Sequence, residues 1–492
     1  MIKYLFLGIF VLSMVVIGIY SRKKVANVQD FFLGGRKMGG WISAFAYGTS
    51  YFSAVIFIGY AGSIGWSFGV SAVWIGIGNA LLGSFLAWLV LAKKTRYMTH
   101  KLDAATMPEF FEKRYNSKPL KITSAIITFV FLVPYSASVY KGLGYLFAST
   151  FGMPLEYYKY CMLAMAVLTG IYLLLGGYIA TALNDFVQGI VMIAGIVLML
   201  YFVIGHPVVD GIRTGLTRLA SLPEGSELTS VFSGMPFNLF SLVILTSLGA
   251  WGLPQMVHKF YAIKDDRAIK QATIVSTFFA VLIGIGAYLT GSFGRLFLNN
   301  ARPADVDTIM PVLLERALPE ALMGIIIVLV LSASMSTLSS LVLVSSSSIA
   351  LDLFKGTIFP EMDKKKVMSS MKILCALFVA FSYIVAVTPN AILTLMSFSW
   401  GAVAGSFLAP FLYGLYWKGT TKLGAWSGII SGLLISIGGA LYYGMDASLA
   451  PNIGAVAMLV SLVVVPLVSL VTMKLPETHL NKIFQASEEK AL

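Results

Sequence analysis

Tyr47-Gly48-Thr49-Ser50-Tyr51-Phe52-Ser53 sits in the middle of one apolar run, residues 41–64, and Leu248-Gly249-Ala250-Trp251-Gly252-Leu253-Pro254 sits in another, residues 236–256. Each run is long enough for a helix to cross a bilayer core, which takes about 20 residues. Yet each is interrupted at mid-depth. A glycine and a cluster of hydroxyls loosen the first. In the second, Pro254 removes a backbone donor and two glycines weaken the helix beside it. Backbone groups freed inside a bilayer cannot face lipid, so such breaks persist only in the protein interior or against a water-filled cavity.

Outward from these stretches the whole chain reads as membrane protein. Its 492 residues are 58% hydrophobic and 12% charged, with mean hydropathy +0.84. Soluble domains carry about a quarter charged residues, and a β-barrel would show short alternating segments in place of continuous runs. Thirteen candidate spans follow: 2–20, 41–64, 71–92, 122–149, 157–176, 183–205, 236–256, 272–298, 322–350, 367–387, 391–417, 423–443 and 451–473. The first is too long for a signal-peptide core and lacks a small-residue cleavage site, so it reads as a retained helix.

The broken spans are the second and the seventh. An interval of five reverses orientation, as two inverted five-helix repeats require; transporters of that design open each repeat with a broken helix and hold solute and ion between them. The expected fold is thus all-α, with repeats near 41–205 and 236–417, extra helices at 2–20, 423–443 and 451–473, and residues 1–492 forming one transmembrane domain. Two ordinary kinks would leave the same residues, since glycine and proline are frequent in membrane helices.

Charge tests the layout. With the amino terminus outside, the cytoplasmic segments hold 26 of the 35 Lys and Arg residues, Lys23, Lys24, Lys259 and Lys490 among them, and the outer segments hold 6. That asymmetry fits the positive-inside rule. The net charge of +13 is thereby a topology signal and needs no nucleic-acid partner. The expected location is the cell inner membrane, multi-pass, with a cytoplasmic carboxyl terminus. The loop around Met107-Pro108-Glu109-Phe110-Phe111 reads as an interfacial amphipathic helix.

Four His and two Cys, Cys161 and Cys375, offer no metal cluster or disulfide framework. No P-loop, G-x-S-x-G or H-E-x-x-H pattern appears, which argues against an ATPase or hydrolase and for transport driven by an ion gradient. The ninth span is unusually rich in hydroxyls, from Ser332 to Ser340 and again from Ser345 to Ser348. Ala333, Ser336 and Thr337 lie at i, i+3 and i+4 on one helix face. A carbonyl beside two hydroxyls suits a hard cation such as sodium, which takes oxygen ligands as calcium and magnesium do; small serines lining helix contacts are the plain alternative. Lys141, deep in the fourth span, either faces the solute cavity and holds a carboxylate, snorkels to the outer interface, or pairs with an acid.

Taken together, these residues resemble the sodium/solute symporter family over about residues 1 to 475. The marks are Phe32-Leu33-Gly34-Gly35-Arg36, Gly176-Gly177-Tyr178 with Asn184-Asp185 and Gln188-Gly189, Gly252-Leu253-Pro254-Gln255, the run Ala333 to Ser339, and Trp417-Lys418 with Gly424-Ala425. The resemblance implies a LeuT-like core and a sodium ion held by the carbonyls of Thr49, Phe52 and Ala333 with the hydroxyls of Ser336 and Thr337. Asp185 matches an acidic position associated with sodium leaving towards the cytoplasm; a helix N-terminal acid favoured by the dipole is the other reading. The solute is expected against Tyr51, Ser53, Tyr135, Lys141, Ser247, Trp251 and Gln255. Proline carriers place an aspartate where this chain has Tyr51, and aromatics where it has Thr246 and Ala250, so a different amino acid or small carboxylate is expected. The partners implied are that solute, sodium ions and the lipid bilayer, with the chain acting as a monomer. A proton-coupled carrier and a sodium-activated sensor or channel are the rival readings.

Overall fold

Several long helices start where the sequence supplies a cap. In the computed structural model, which describes residues 2–22, 28–232 and 236–488, the side chains of Asp265, Asp363 and Thr421 each accept from the backbone N–H three residues on. Such caps satisfy donors that a helix start leaves free. The principal helices are α1 (Ile2–Arg22), α2 (Gly40–Tyr51), α3 (residues 55–68), α4 (residues 73–101), α5 (Lys118–Thr150), α6 (residues 158–176) and α7 (Gly177–Gly205). Then come α8 (Pro236–Gly252), α9 (Pro254–Ala262), α10 (Asp266–Ser292), α11 (Leu322–Ile358), α12 (Lys364–Ala386), α13 (Ile392–Tyr416), α14 (Lys422–Tyr442) and α15 (Ala450–Val471). No strand occurs among the described residues. Lys23, Lys24 and Lys490 of the charge count lie outside them.

Among the described residues nine helices are long and apolar enough to cross a membrane, or ten with the bent pair α8–α9 as one. That is fewer than the thirteen spans expected, for identifiable reasons. Residues 55–101 count once although the chain doubles back at Gly69, whose φ is +56°. Gly65 abuts Gly291, Gly76 abuts Gly284, and Ser84 hydrogen-bonds Ser276; the second arm therefore retraces α10 from its carboxyl end. The apolar stretches Tyr4–Tyr20 and Tyr158–Ile171, within α1 and α6, are not among the nine.

Small residues set the packing. A Cβ on Gly291 would fall 1.8 Å from the Ala61 carbonyl oxygen, and one on Gly432 would fall 2.3 Å from Gly405 backbone. Backbones that touch in this way are typical of helix contacts in membranes, where close approach replaces the hydrophobic drive. Helices α11 and α13 are buried almost throughout, while α12, α14 and α15 leave apolar side chains such as Ile373, Leu434 and Leu470 exposed.

The loop helix Met107–Tyr115 differs from the interfacial helix expected. Phe110 and Phe111 are buried, 5.1 Å from Phe411 and 5.5 Å from Phe407 between ring centroids. Its apolar face is satisfied by α13 and not by lipid.

Both breaks are present. Phe52 is extended (φ −102°, ψ 105°) and ends α2. Leu253 is extended (φ −84°, ψ 121°) between α8 and α9, which bend by 45°. Pro254 falls in the first turn of α9, where its missing N–H costs no helical bond. The first break is stitched to α11: Ala54 N–H donates to Ser334 Oγ at 3.2 Å. The Tyr51 hydroxyl donates to the Thr246 carbonyl at 2.6 Å, tying the two broken helices together.

Candidate functional site

A helix end leaves its last carbonyls without intrahelical partners, and the end of α2 points them at the serine-rich face of α11. Thr337 Oγ1 lies 3.2 Å from the Thr49 carbonyl oxygen, 3.2 Å from that of Ser50 and 3.1 Å from that of Ala333. A threonine hydroxyl has one proton to give, so three acceptors surround a single donor. Beside them Ser336 Oγ and Thr49 Oγ1 are 2.6 Å apart. All of these residues are buried. An excess of oxygen lone pairs in a dry site suits a hard monovalent cation. The structure brings together Thr49, Ala333, Ser336 and Thr337, with Phe52 at the adjoining break. Ser50 and Ser334 join the cluster although sequence reading did not select them.

One turn along α11 the chemistry changes. Ser340 Oγ is 3.0 Å from Ser50 Oγ and accepts from Lys259 Nζ at 3.0 Å. The same ammonium stands 3.9 Å from Asp185 Oδ2, with both side chains essentially inaccessible. This corrects the charge layout, which put Lys259 in a cytoplasmic loop. The seventh span does not stop near Met256: a helix restarts at Pro254, and α9, running to Ala262, carries Lys259 into the interior.

Of the expected solute residues, Tyr51, Ser53 and Tyr135 converge. Tyr135 pairs with Ser53, and both tyrosine rings meet Trp400. The Tyr51 ring is nearly parallel to it at 6.3 Å, and the Tyr135 ring is edge-on at 5.6 Å. Trp400 went unselected because it lies in an apolar run; its small neighbours Ser399 and Gly401 were the available signal. Ser247 donates to Asn79 Oδ1 at 3.2 Å and Trp251 to the Leu82 carbonyl at 2.9 Å, so both face α4. Gln255 is buried, and among the described residues neither end of its amide is hydrogen-bonded and the Trp400 indole N–H is likewise unpaired. Lys141 is not part of this group. Its ammonium donates to the carbonyls of Thr388, at 2.8 Å, and Asn390 in the turn between α12 and α13, six residues and about 9 Å along α5 from Tyr135.

The model of the sodium:solute symporter family matches residues 31–432. A sodium/proline symporter of Staphylococcus aureus (strain JH9) is 31% identical over 506 aligned positions, spanning 99% of this chain and 96% of the relative. Among solved structures, a substrate-bound, outward-open Na+-coupled sialic acid symporter superposes with TM-score 0.71 at 19% identity, covering 95% of this chain and 98% of that one. A nucleobase-cation-symport-1 family transporter, closed around bromovinylhydantoin, gives TM-score 0.52 at 15% identity, covering 93% and 99%. These structural likenesses give the fold, a LeuT-like transporter core.

Proposed function

The chain belongs to the sodium:solute symporter family, and from that premise we propose that it is a sodium-driven symporter of a small amino acid or carboxylate. It is a multi-pass membrane transporter, and its relatives are carriers rather than enzymes. The observation carrying the sodium assignment is the Thr337 hydroxyl ringed by three carbonyl oxygens. Thr49, Phe52, Ala333, Ser336 and Thr337 would hold the ion, and Asp185, paired with Lys259, would stand beside its way inward.

Coupling follows from the interleaving of residues 49–53. Thr49 and Phe52 serve the ion while Tyr51 and Ser53 face the solute side, so an ion that draws α2 onto α11 also fixes the solute wall. Sodium then raises solute affinity by the factor that solute raises sodium affinity. Two buried donors, the Gln255 amide and the Trp400 indole, suit a carboxylate among aromatic walls. Proline, for which the Staphylococcus aureus relative is named, is of this class, but Tyr51, Thr246 and Ala250 favour another member.

Purified protein in proteoliposomes should accumulate such a solute when sodium is high outside, and should stop when choline replaces sodium. One observation favours a second reading, proton coupling: Asp185 and Lys259 are titratable groups in the core. Accumulation driven by a proton gradient without sodium would establish that reading and sink the first.

The charge asymmetry supports an outer amino terminus and a cytoplasmic carboxyl terminus. A cytoplasm-active reporter fused after Leu492 is expected to function; periplasmic activity at that position would overturn the orientation.

A further inference from the structure

Asp185 is a buried carboxylate with the Ser336 hydroxyl beside it, yet neither of its oxygens has a well-formed hydrogen bond among the described residues. Its compensation is the Lys259 ammonium at 3.9 Å. That ammonium also donates to Ser340 Oγ at 3.0 Å and stands 5.3 Å over the Tyr178 ring. It is a compact point cation held by an acid, a hydroxyl and an aromatic face.

The surroundings are continuous with the ion cluster. Ser340 follows Ser336 by one turn of α11 and pairs with Ser50, whose carbonyl faces Thr337. Residues four apart on a helix are neighbours at about 6 Å. A single run of oxygens therefore offers two cation positions one turn apart, and in the second stands a lysine. We propose that the Lys259 ammonium holds the place of a second sodium ion at Asp185, and so sets the number of sodium ions the chain binds at one. This rests on the sodium reading above.

The arrangement has a physical logic. A buried acid stripped of its partner is strongly disfavoured and must take up a proton or another cation. A tethered ammonium answers that need without drawing an ion from the gradient, leaving the Thr337 position as the exchangeable one.

Counting bound sodium-22 on purified protein at saturating sodium tests this. Wild type and Lys259→Arg should bind one ion per chain. Lys259→Met should bind two, and Asp185→Asn combined with Lys259→Met should return to one. Lys259→Ser, which leaves a hydroxyl and more room, is read in the same way where Lys259→Met does not fold. One ion per chain in the folded Lys259 variant that retains Asp185 would overturn the proposal. No bound sodium in wild type would instead overturn the sodium reading itself.

Discussion

Replacing Ser336 and Thr337 together by alanine is expected to raise the sodium concentration needed for half-maximal thermal stabilisation about a hundredfold or more. Hydrogen-bonding groups facing a charge contribute about 1.5–3 kcal/mol each, and every 1.4 kcal/mol is about tenfold in affinity. Two hydroxyls lost from one dry site reach about 3 kcal/mol at the lower bound. The protein should still fold. Alanine is the best helix former, and Thr49 keeps its bond to the Phe45 carbonyl at 2.8 Å when Ser336 loses its hydroxyl. Thr337→Ser, which retains the oxygen, should stay near wild type. Wild-type sodium response in the double variant would remove the ion from this cluster altogether.

The ion cluster could be read from sequence because its chemistry is local. Ala333, Ser336 and Thr337 share a helix face by spacing alone, and the glycine and hydroxyls around Thr49 announce a break that frees carbonyls. What spacing does not give is the partner of a long side chain. The depth of Lys141 was evident, but its acceptors are carbonyls 247 and 249 positions away in a turn. Lys259 was misplaced for a related reason. The apolar run stops at Met256, so the residues after it read as a loop, whereas α9 continues to Ala262 and buries them. Beyond its small neighbours Ser399 and Gly401, Trp400 gave no signal, because a tryptophan in a hydrophobic run is unremarkable until two tyrosines from other helices meet it. Helix length alone yields fewer than thirteen spans because turns such as Gly69 keep residues 55–101 helical through a reversal.

Gln255→Leu is expected to stabilise the protein and weaken its solute binding at the same time. Gln255 is 1% exposed, and neither its amide oxygen nor its amide nitrogen finds a partner among the described residues. A buried polar group without partners costs about 1–3 kcal/mol, and replacing it with an apolar group of similar shape recovers part of that. Such a cost is kept at a place where something else supplies the bond. Gln255 lies two residues past the break at Leu253, in the first turn of α9, where the helix dipole favours an anion. A solute carboxylate accepting from the Gln255 amide would satisfy both features. Its loss removes one charge-assisted bond, about tenfold to a hundredfold in affinity. Sodium affinity without solute should not change, because no ligand of the ion cluster is touched. The readouts are the unfolding midpoint in sodium alone, expected to rise, and the solute concentration for half-maximal uptake, expected to rise as well. A variant that is stabilised yet keeps wild-type solute affinity would show that Gln255 does not meet the solute.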